Sequence, residues 1–465
     1  MIVSQRISIV GAGFSGTMTA VQLIRHAKHP VEIHLFDETD RVNRGVAYLP
    51  SSNHFILNVP AAKMSAFPDS PDDFLDWLLL HSDHCHIKKS SLAALFVSRA
   101  IYGEYLQQKM QDALELAVPK KITVKFHHEI VESVVCLDDK IQLFTREGER
   151  LESDQLVLAT GNQLPGNLSI HNMDFYNSPR YFQNPWKIES VLGTDSTLPV
   201  FILGNGLTMA ETVVGLRENG FSGLIYSLSP NGFNMLPHRF EEKLLPDMEE
   251  EIKKAHDLRS VVLIMLHYIR KLKKEGISPE PVVSTMRPLL QNLWRNFSLQ
   301  EKQLFLSRFR HLWGVIRHRI APELYNELNR LKTEKKLMVM AGRVMNLTDE
   351  GSYVTVSFRE KKSQEVQSMK VGRVINCTGP ETNVLKLKNN FLTRCFQADL
   401  IAQDDLKLGI CANTETFQVI NSKGEINSRI FTLGPNLRGE LWESTAVNEI
   451  RSQAERMALS ILSRI

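Results

Sequence analysis

The stretches ISIVGAGFSGTMTA (residues 7–20) and VFILGNGLTMAE (residues 200–211) decide the fold. Each is an apolar run, then glycine-x-glycine, then the opening of a helix. In the first, Gly11, Gly13 and Gly16 have separate tasks: the tight turn out of a strand, the approach of backbone to a pyrophosphate, and close packing of helix on strand. The helix start, with Ser15 in its first turn, presents unpaired N–H groups and a partial positive charge to phosphates. About 20 residues on, Asp37 ends a second apolar strand, where a carboxylate accepts hydrogen bonds from a ribose. Residues 6–10, 17–25 and 31–36 thus read as a strand, a helix and a strand, one βαβ unit.

The second loop has Gly204 and Gly206 but no third glycine, and Ala210 is read as the small residue taking its place. Both halves then follow one order: strand, glycine loop, helix, strand, meander, and a buried strand ending in Thr-Gly. The endings are DQLVLATGN, which reaches Thr160 and Gly161, and GRVINCTGP, which reaches Thr378 and Gly379. Whole architectural units repeat, so the expected fold is α/β, with two dinucleotide-binding Rossmann-like domains, β-meanders and a helical insertion. The expected limits are 1–195 for the first domain, 196–345 for the second with the insertion at 241–335, and 346–465 for a return segment completing the first.

Composition narrows the partners. A chain of 465 residues fills two or three domains. With 43% hydrophobic and 23% charged residues it matches soluble globular proteins and excludes disordered or collagen-like classes. A net charge of +3 is too thin a field for nucleic acid. The five cysteines never stand as CxxC, against a disulfide framework or a dithiol centre. No signal-peptide pattern precedes the first strand. Runs such as FLDWLLL and VVLIML fall short of the roughly 18 residues that cross a bilayer, so a cytoplasmic location is expected. HSDHCH (residues 81–86) holds metal-ligand types without a second half at zinc-site spacing, and no metal is expected.

Residues 45–78 (GVAYLPSSNHFILNVPAAKMSAFPDSPDDFLDWL), the two glycine loops, INCTGP, and residues 433–454 (LGPNLRGELWESTAVNEIRSQA) resemble the FAD/NAD(P)-binding family of YdhS-like bacterial flavoproteins. More distantly they resemble flavin-dependent N-hydroxylating monooxygenases. The resemblance covers nearly the whole chain and implies a fold of the flavoprotein disulfide-reductase/monooxygenase type, with FAD in the first domain and NADPH or NADH in the second. The chain departs from the family in carrying SPNG (residues 229–232) where a basic segment is common.

The residues support that reading. Asn58 and Ser65 lie where the chain passes the flavin ring; each either bonds flavin heteroatoms or satisfies its own backbone in a turn. Gly434 and Pro435 bring backbone toward the ribityl chain, and the helix opening near Thr445 aims its positive end at the flavin. His238 and Arg239 are the candidate catalytic, substrate-side residues. RFRHLWGVIRHR (residues 308–319) either clamps an anion or forms an ion-pair network. The expected activity is that of an FAD-dependent NAD(P)H oxidoreductase, most concretely a monooxygenase oxygenating a small amine or amino acid with molecular oxygen through a peroxyflavin. The alternatives are a flavin dehydrogenase or reductase without oxygenation, and a non-catalytic dinucleotide sensor or scaffold. A 2'-phosphate needs a forked cation, and SPNG offers none. Either the two coenzymes are weakly distinguished, or Arg239 or the Arg317–Arg319 cluster supplies the charge.

Overall fold

The computed structural model describes residues 5–38, 42–49, 55–81, 84–239, 244–388 and 390–465. Strand β1 (Gln5–Val10) turns through Gly11 into helix α1 (Phe14–His26) and returns as β2 (Val31–Phe36), parallel to β1 from Gln5↔Val31 to Val10↔Phe36. Both strands are buried along most of their length, Ser8 and His34 included, because both faces of a parallel sheet are covered. The sheet has six strands in the order Gln418–Ile420, Ile426–Thr432, Gln155–Leu158, β1, β2, Thr123–His127. The tail therefore completes the first sheet.

The plan recurs in β3 (Val200–Leu203), α2 (Leu207–Glu218) and β4 (Ile225–Ser229). After β4 the chain makes the helical insertion, from Pro246–Lys253 to Pro322–Thr333, and re-enters the second sheet as β5 (Leu337–Asp349). The first part of β5 runs parallel to β4, from Ile225↔Leu337 to Ser229↔Ala341. Its remainder pairs antiparallel with β6 (Val354–Glu360). The full order is Val366–Val371, β6, β5, β4, β3, Arg373–Asn376, Tyr181–Phe182. This corrects the expected limits: the second sheet claims residues well past 345, through Asn376, and Tyr181–Phe182 already belongs to it. The return segment follows Asn376 and ends in helix α3 (Val447–Leu462), which packs along α1.

The insertion has a core of its own, including Tyr268, Trp294 and Trp313, and that core also takes in Leu408 and Trp442 of the return segment. Trp294 stacks on Trp442 at 5.0 Å between ring centroids and donates its indole N–H to the Gly439 carbonyl at 2.7 Å. The insertion is thus a helical subdomain seated on the return segment.

A buried ion pair joins the first domain to α2 of the second. Arg99, at the start of the helix Arg99–Ala117, holds Glu211 of α2 at 2.7 Å through Nη2 and at 3.1 Å through Nε. Glu211 is 6% exposed, and burial pushes its carboxyl above the usual range while Arg99 opposes that. Removing one partner of such a pair costs about 3–5 kcal/mol because the other charge is stranded. Arg99→Ala should lower the thermal midpoint by several degrees; Arg99→Ala together with Glu211→Gln should recover most of it. A single variant as stable as the parent, read by differential scanning calorimetry, refutes the clasp.

A second polar cluster lies on β2. His34 bonds His127 at 2.7 Å through Nδ1 and Glu32 at 3.0 Å through Nε2. Burial pushes the His34 pKa from 6.5 to about 4 although Glu32 works to raise it, and burial lowers His127 too. A folded pKa below the unfolded one gives stability that is full above pH 6.5 and is lost as pH falls toward 4. Glu32 titrates lower, near 2: burial raises its pKa, but hydrogen bonds from Lys125, His34 and Arg6 outweigh it. Thermal midpoints are expected to fall between pH 6.5 and 4. The fall should be shallower in His34→Phe, and an equal slope would exclude this assignment.

Candidate dinucleotide sites

The two glycine loops are built alike. Gly11 has φ +100°, donates its N–H to the Phe36 carbonyl at 2.8 Å, and has no room for a side chain: a Cβ would lie 2.3 Å from the Ala159 carbonyl oxygen. Gly204 has φ +97°, donates to the Leu228 carbonyl at 2.8 Å, and its Cβ would lie 2.5 Å from the Cys377 carbonyl oxygen. Each loop is pressed against its domain's Thr-Gly strand end. Gly161 (φ +64°) and Gly379 (φ +91°) turn the chain away there. Helices α1 and α2 begin at Gly13 and Gly206, and neither start is closed by a capping side chain. An uncapped helix start is a ready anion site.

The first loop is the tighter. A Cβ on Gly13 would meet the Gly45 Cα at 3.3 Å, and one on Gly45 would stand 2.8 Å from the Gly13 Cα, so two glycines cross with no side chain between them. A Cβ on Gly16 would fall 1.8 Å from the Gly11 carbonyl oxygen, which seats α1 directly on the turn. A Cβ at Gly206 meets nothing within 4 Å. Counted from the two helix starts, Met209 holds the place of Gly16; Ala210 lies one residue further on, correcting its expected role.

Asp37 ends β2 as expected, but it also organises the loop: Oδ2 accepts the Ala12 N–H at 2.7 Å and Oδ1 the Glu38 N–H at 2.8 Å. Its carboxylate thus stands just past the carboxyl end of β2, where a ribose is met in this kind of sheet. The Ser15 hydroxyl lies beside Gly434, whose Cβ would come 2.8 Å from it. Gly434 donates its N–H to Gln453 Oε1 at 2.8 Å and accepts from the Ser444 hydroxyl at 2.6 Å, fixing the turn before α3. Thr445 is exposed just ahead of α3, whose start also lacks a capping side chain. Thr160 is held by Asn436, whose amide donates to it at 3.1 Å and to the Leu158 carbonyl at 3.2 Å. Asn436, Gly45 and Gln453 were not among the expected residues. Only the glycine within the quoted 45–78 block gave a signal, since a glycine facing Gly13 permits the crossing.

Ser65 is corrected. Its hydroxyl bonds the Ser70 carbonyl at 2.6 Å and takes the Phe67 N–H at 3.1 Å, so it closes its own turn; its carbonyl accepts Arg451 Nη1 at 2.7 Å. Asn58 presents its carbonyl to His238 Nε2 at 2.8 Å, and His238 also packs on Phe96. Burial lowers the His238 pKa, keeping the ring neutral. Arg239 is exposed and its amide faces Glu280 Oε1 at 3.4 Å.

The basic run 308–319 is an ion-pair network. Half-buried Arg317 pairs with buried Glu443 at 3.4 Å, and Arg319 with Glu280 at 3.1 Å, both buried. Trp313 Nε1 donates to Glu443 Oε1 at 3.0 Å and Gln291 to the Glu443 carbonyl at 2.6 Å. Burial raises the Glu443 pKa, but Arg317, His318 and Trp313 outweigh it and hold the carboxyl below the usual range. Burial beside Arg317 takes His318 down to about 4. These arginines are thus committed to the tail and to Glu280, which corrects their expected role as cations for SPNG. Among the described residues no group of three or more His, Cys, Asp or Glu side chains could hold a metal ion, and no helix is long and apolar enough to cross a membrane.

Residues 8–163 match the family model described as FAD-NAD(P)-binding. No curated protein matches the chain in sequence. Its fold is similar to that of the ornithine N-hydroxylase of Kutzneria sp. 744, solved with reduced FAD, NADP+ and L-ornithine (TM-score 0.68, 12% identity, 99% of each chain covered). It is also similar to the L-lysine 6-monooxygenase of Pseudomonas syringae (0.66, 15%, 99% of each) and the bacillithiol disulfide reductase of Staphylococcus aureus (0.56, 13%, 99% of each). Residues 8–163 thus form an FAD-NAD(P)-binding domain, within a whole-chain fold common to flavin monooxygenases and disulfide reductases.

Proposed function

We propose that the chain is an FAD-dependent oxidoreductase that takes hydride from NAD(P)H, and most concretely a monooxygenase of a small amine or amino acid. The observation that carries the reading is the pair of equivalent glycine loops, each with an uncapped helix start, in one chain. The first fits FAD: the Gly13–Gly45 crossing leaves backbone open to a pyrophosphate, the Asp37 carboxylate stands at the strand end where a ribose is met, and the uncapped start of α3 follows the Gly434 turn beside Ser15. When bound, FAD supplies the two-electron relay between the nicotinamide and oxygen.

The chain's own part is positioning. The uncapped starts of α1 and α2 would hold the two pyrophosphates. Neutral His238, with its Nε2 proton committed to the Asn58 carbonyl, leaves Nδ1 able to accept a proton from a substrate ammonium. The amine or amino-acid substrate follows the similar folds of an ornithine and a lysine hydroxylase. Reductase chemistry is the second reading, supported by the likeness to the bacillithiol disulfide reductase. Against a thiol mechanism, Cys377, next to the second Thr-Gly, is buried with its thiol pushed up to about 12.

Two variants separate the loops. Gly13→Val adds bulk against Gly45 and should yield folded protein without yellow flavin. Gly206→Val meets no neighbour within 4 Å and should keep FAD while flavin reduction by NAD(P)H slows at least tenfold, about 1.4 kcal/mol in the barrier. Full FAD occupancy in folded Gly13→Val, or unchanged reduction in Gly206→Val, refutes the corresponding assignment. The oxygenase reading is tested by oxygen uptake and product analysis with lysine, ornithine and simple diamines. Hydroxylated amine matching NAD(P)H consumed is expected. Hydrogen peroxide alone at every substrate favours the reductase reading.

A further inference from the structure

The second domain's missing cation is supplied from an unexpected direction. In a doubly wound sheet the ligand lies outside the carboxyl ends of the parallel strands, and a 2'-phosphate is met just past the strand that follows the glycine-loop helix. Here that strand is β4, ending at Ser229, and its loop Ser229–Gly232 is uncharged. The loop folds onto β5. A Cβ on Gly232 would sit 2.9 Å from the Ala341 Cβ, and Ala341 is the register partner of Ser229.

Beyond Ala341 the two strands of the meander bring cations to this point. Arg343 of β5 stands directly opposite Arg359 of β6, both exposed. Lys361 follows, with its amide on the Ala341 carbonyl at 2.9 Å and its ammonium on Asn231 Oδ1 at 2.7 Å, so it already touches the SPNG loop. Among the described residues neither Arg343 nor Arg359 is paired with a carboxylate. Like charges directly opposite across an antiparallel pair destabilise a sheet. The arrangement carries a standing repulsion that an anion between the strands would relieve, and guanidinium forks suit a phosphate.

Resting on the coenzyme reading above, we propose that Arg343, Arg359 and Lys361, with Asn231, form the site for the 2'-phosphate of NADPH. The coenzyme preference is then set largely by the meander, through Arg343 on β5 and through Arg359 and Lys361 on and just after β6, and neither Arg317 nor Arg319 takes part.

The test is calorimetric titration of the FAD-loaded protein with adenosine 2',5'-bisphosphate and with 5'-AMP, the two differing only in the 2'-phosphate. The parent should bind the bisphosphate about a hundredfold more tightly. Arg359→Ala and Lys361→Ala should each lower that ratio about tenfold, and the double variant should erase it. The bisphosphate should also raise the thermal midpoint of the parent more than that of Arg359→Ala, because the opposed pair is gone in the variant. Equal affinity of the parent for both nucleotides, or a ratio that survives the double replacement, overturns the 2'-phosphate assignment alone. Failure of both nucleotides to bind overturns the coenzyme reading of the second domain along with it.

Discussion

Gly11 cannot carry a side chain, and much of the architecture follows from that restriction. Its positive φ turns the chain out of β1, and its bare Cα lets the turn press on the Ala159 carbonyl, so the strand ending at Thr160 lies directly beside the loop. The contact fixes where α1 begins, and the Gly16 contact with the Gly11 carbonyl fixes how closely the helix follows the strand. Because α1 is held there, its N–H groups point over the end of the sheet instead of into a capping side chain. The same contact between Gly204 and Cys377 does this work in the second domain. A dinucleotide site in this fold is a consequence of two carbonyl contacts that no β-carbon would permit.

The insertion and the tail make one polar-apolar unit with a clear division of work. The stacked Trp294 and Trp442 supply apolar area, and Glu443 gathers Arg317, Trp313 and Gln291 just before α3. A buried carboxylate is tolerated only when paired and hydrogen-bonded; here it has a guanidinium and an indole N–H. Arg287 repeats the theme on Glu449 in the first turn of α3, at 3.3 Å. Two acids near the positive end of a helix, both neutralised from the insertion, leave that end free to favour negative charge in whatever lies beyond it.

What was legible in the sequence is what short range decides. Gly-x-Gly after an apolar strand, Asp37 at the next strand end, and the two Thr-Gly endings needed only local pattern. The third-glycine position slipped by one because it depends on where α2 starts, and Gly206 alone sets that. The domain limit was misread because β5 is one unbroken strand that changes partners at Gly342, with no proline or loop to mark the change. For Ser65 the flavin contact and the self-closing turn both stay open from sequence, because its partner is the Ser70 carbonyl and a backbone acceptor leaves no mark in the residue pattern. The seat of the insertion was beyond reach, since Gln291 meets Glu443 across 152 residues. The Arg343–Arg359 opposition was hidden for a similar reason: each arginine alone reads as a solvated strand residue, and only register makes them a pair.

The two domains are joined in a way that resists rotation. The chain crosses between them twice, and the crossings are pinned together: Pro165 bridges Pro380, the Glu381 N–H meets the Leu164 carbonyl at 3.1 Å, and Asn376 Nδ2 reaches the Gly166 carbonyl at 3.1 Å and the Tyr181 hydroxyl at 2.9 Å. Paired linkers alone would still act as a hinge. Arg99 and Glu211 lie away from that hinge, on helices of opposite domains, so any swing must part them. A swing that parted them would carry both groups toward water and strand neither, so what it loses is the two hydrogen bonds from Arg99 to Glu211, a smaller loss than the about 3–5 kcal/mol of removing one partner.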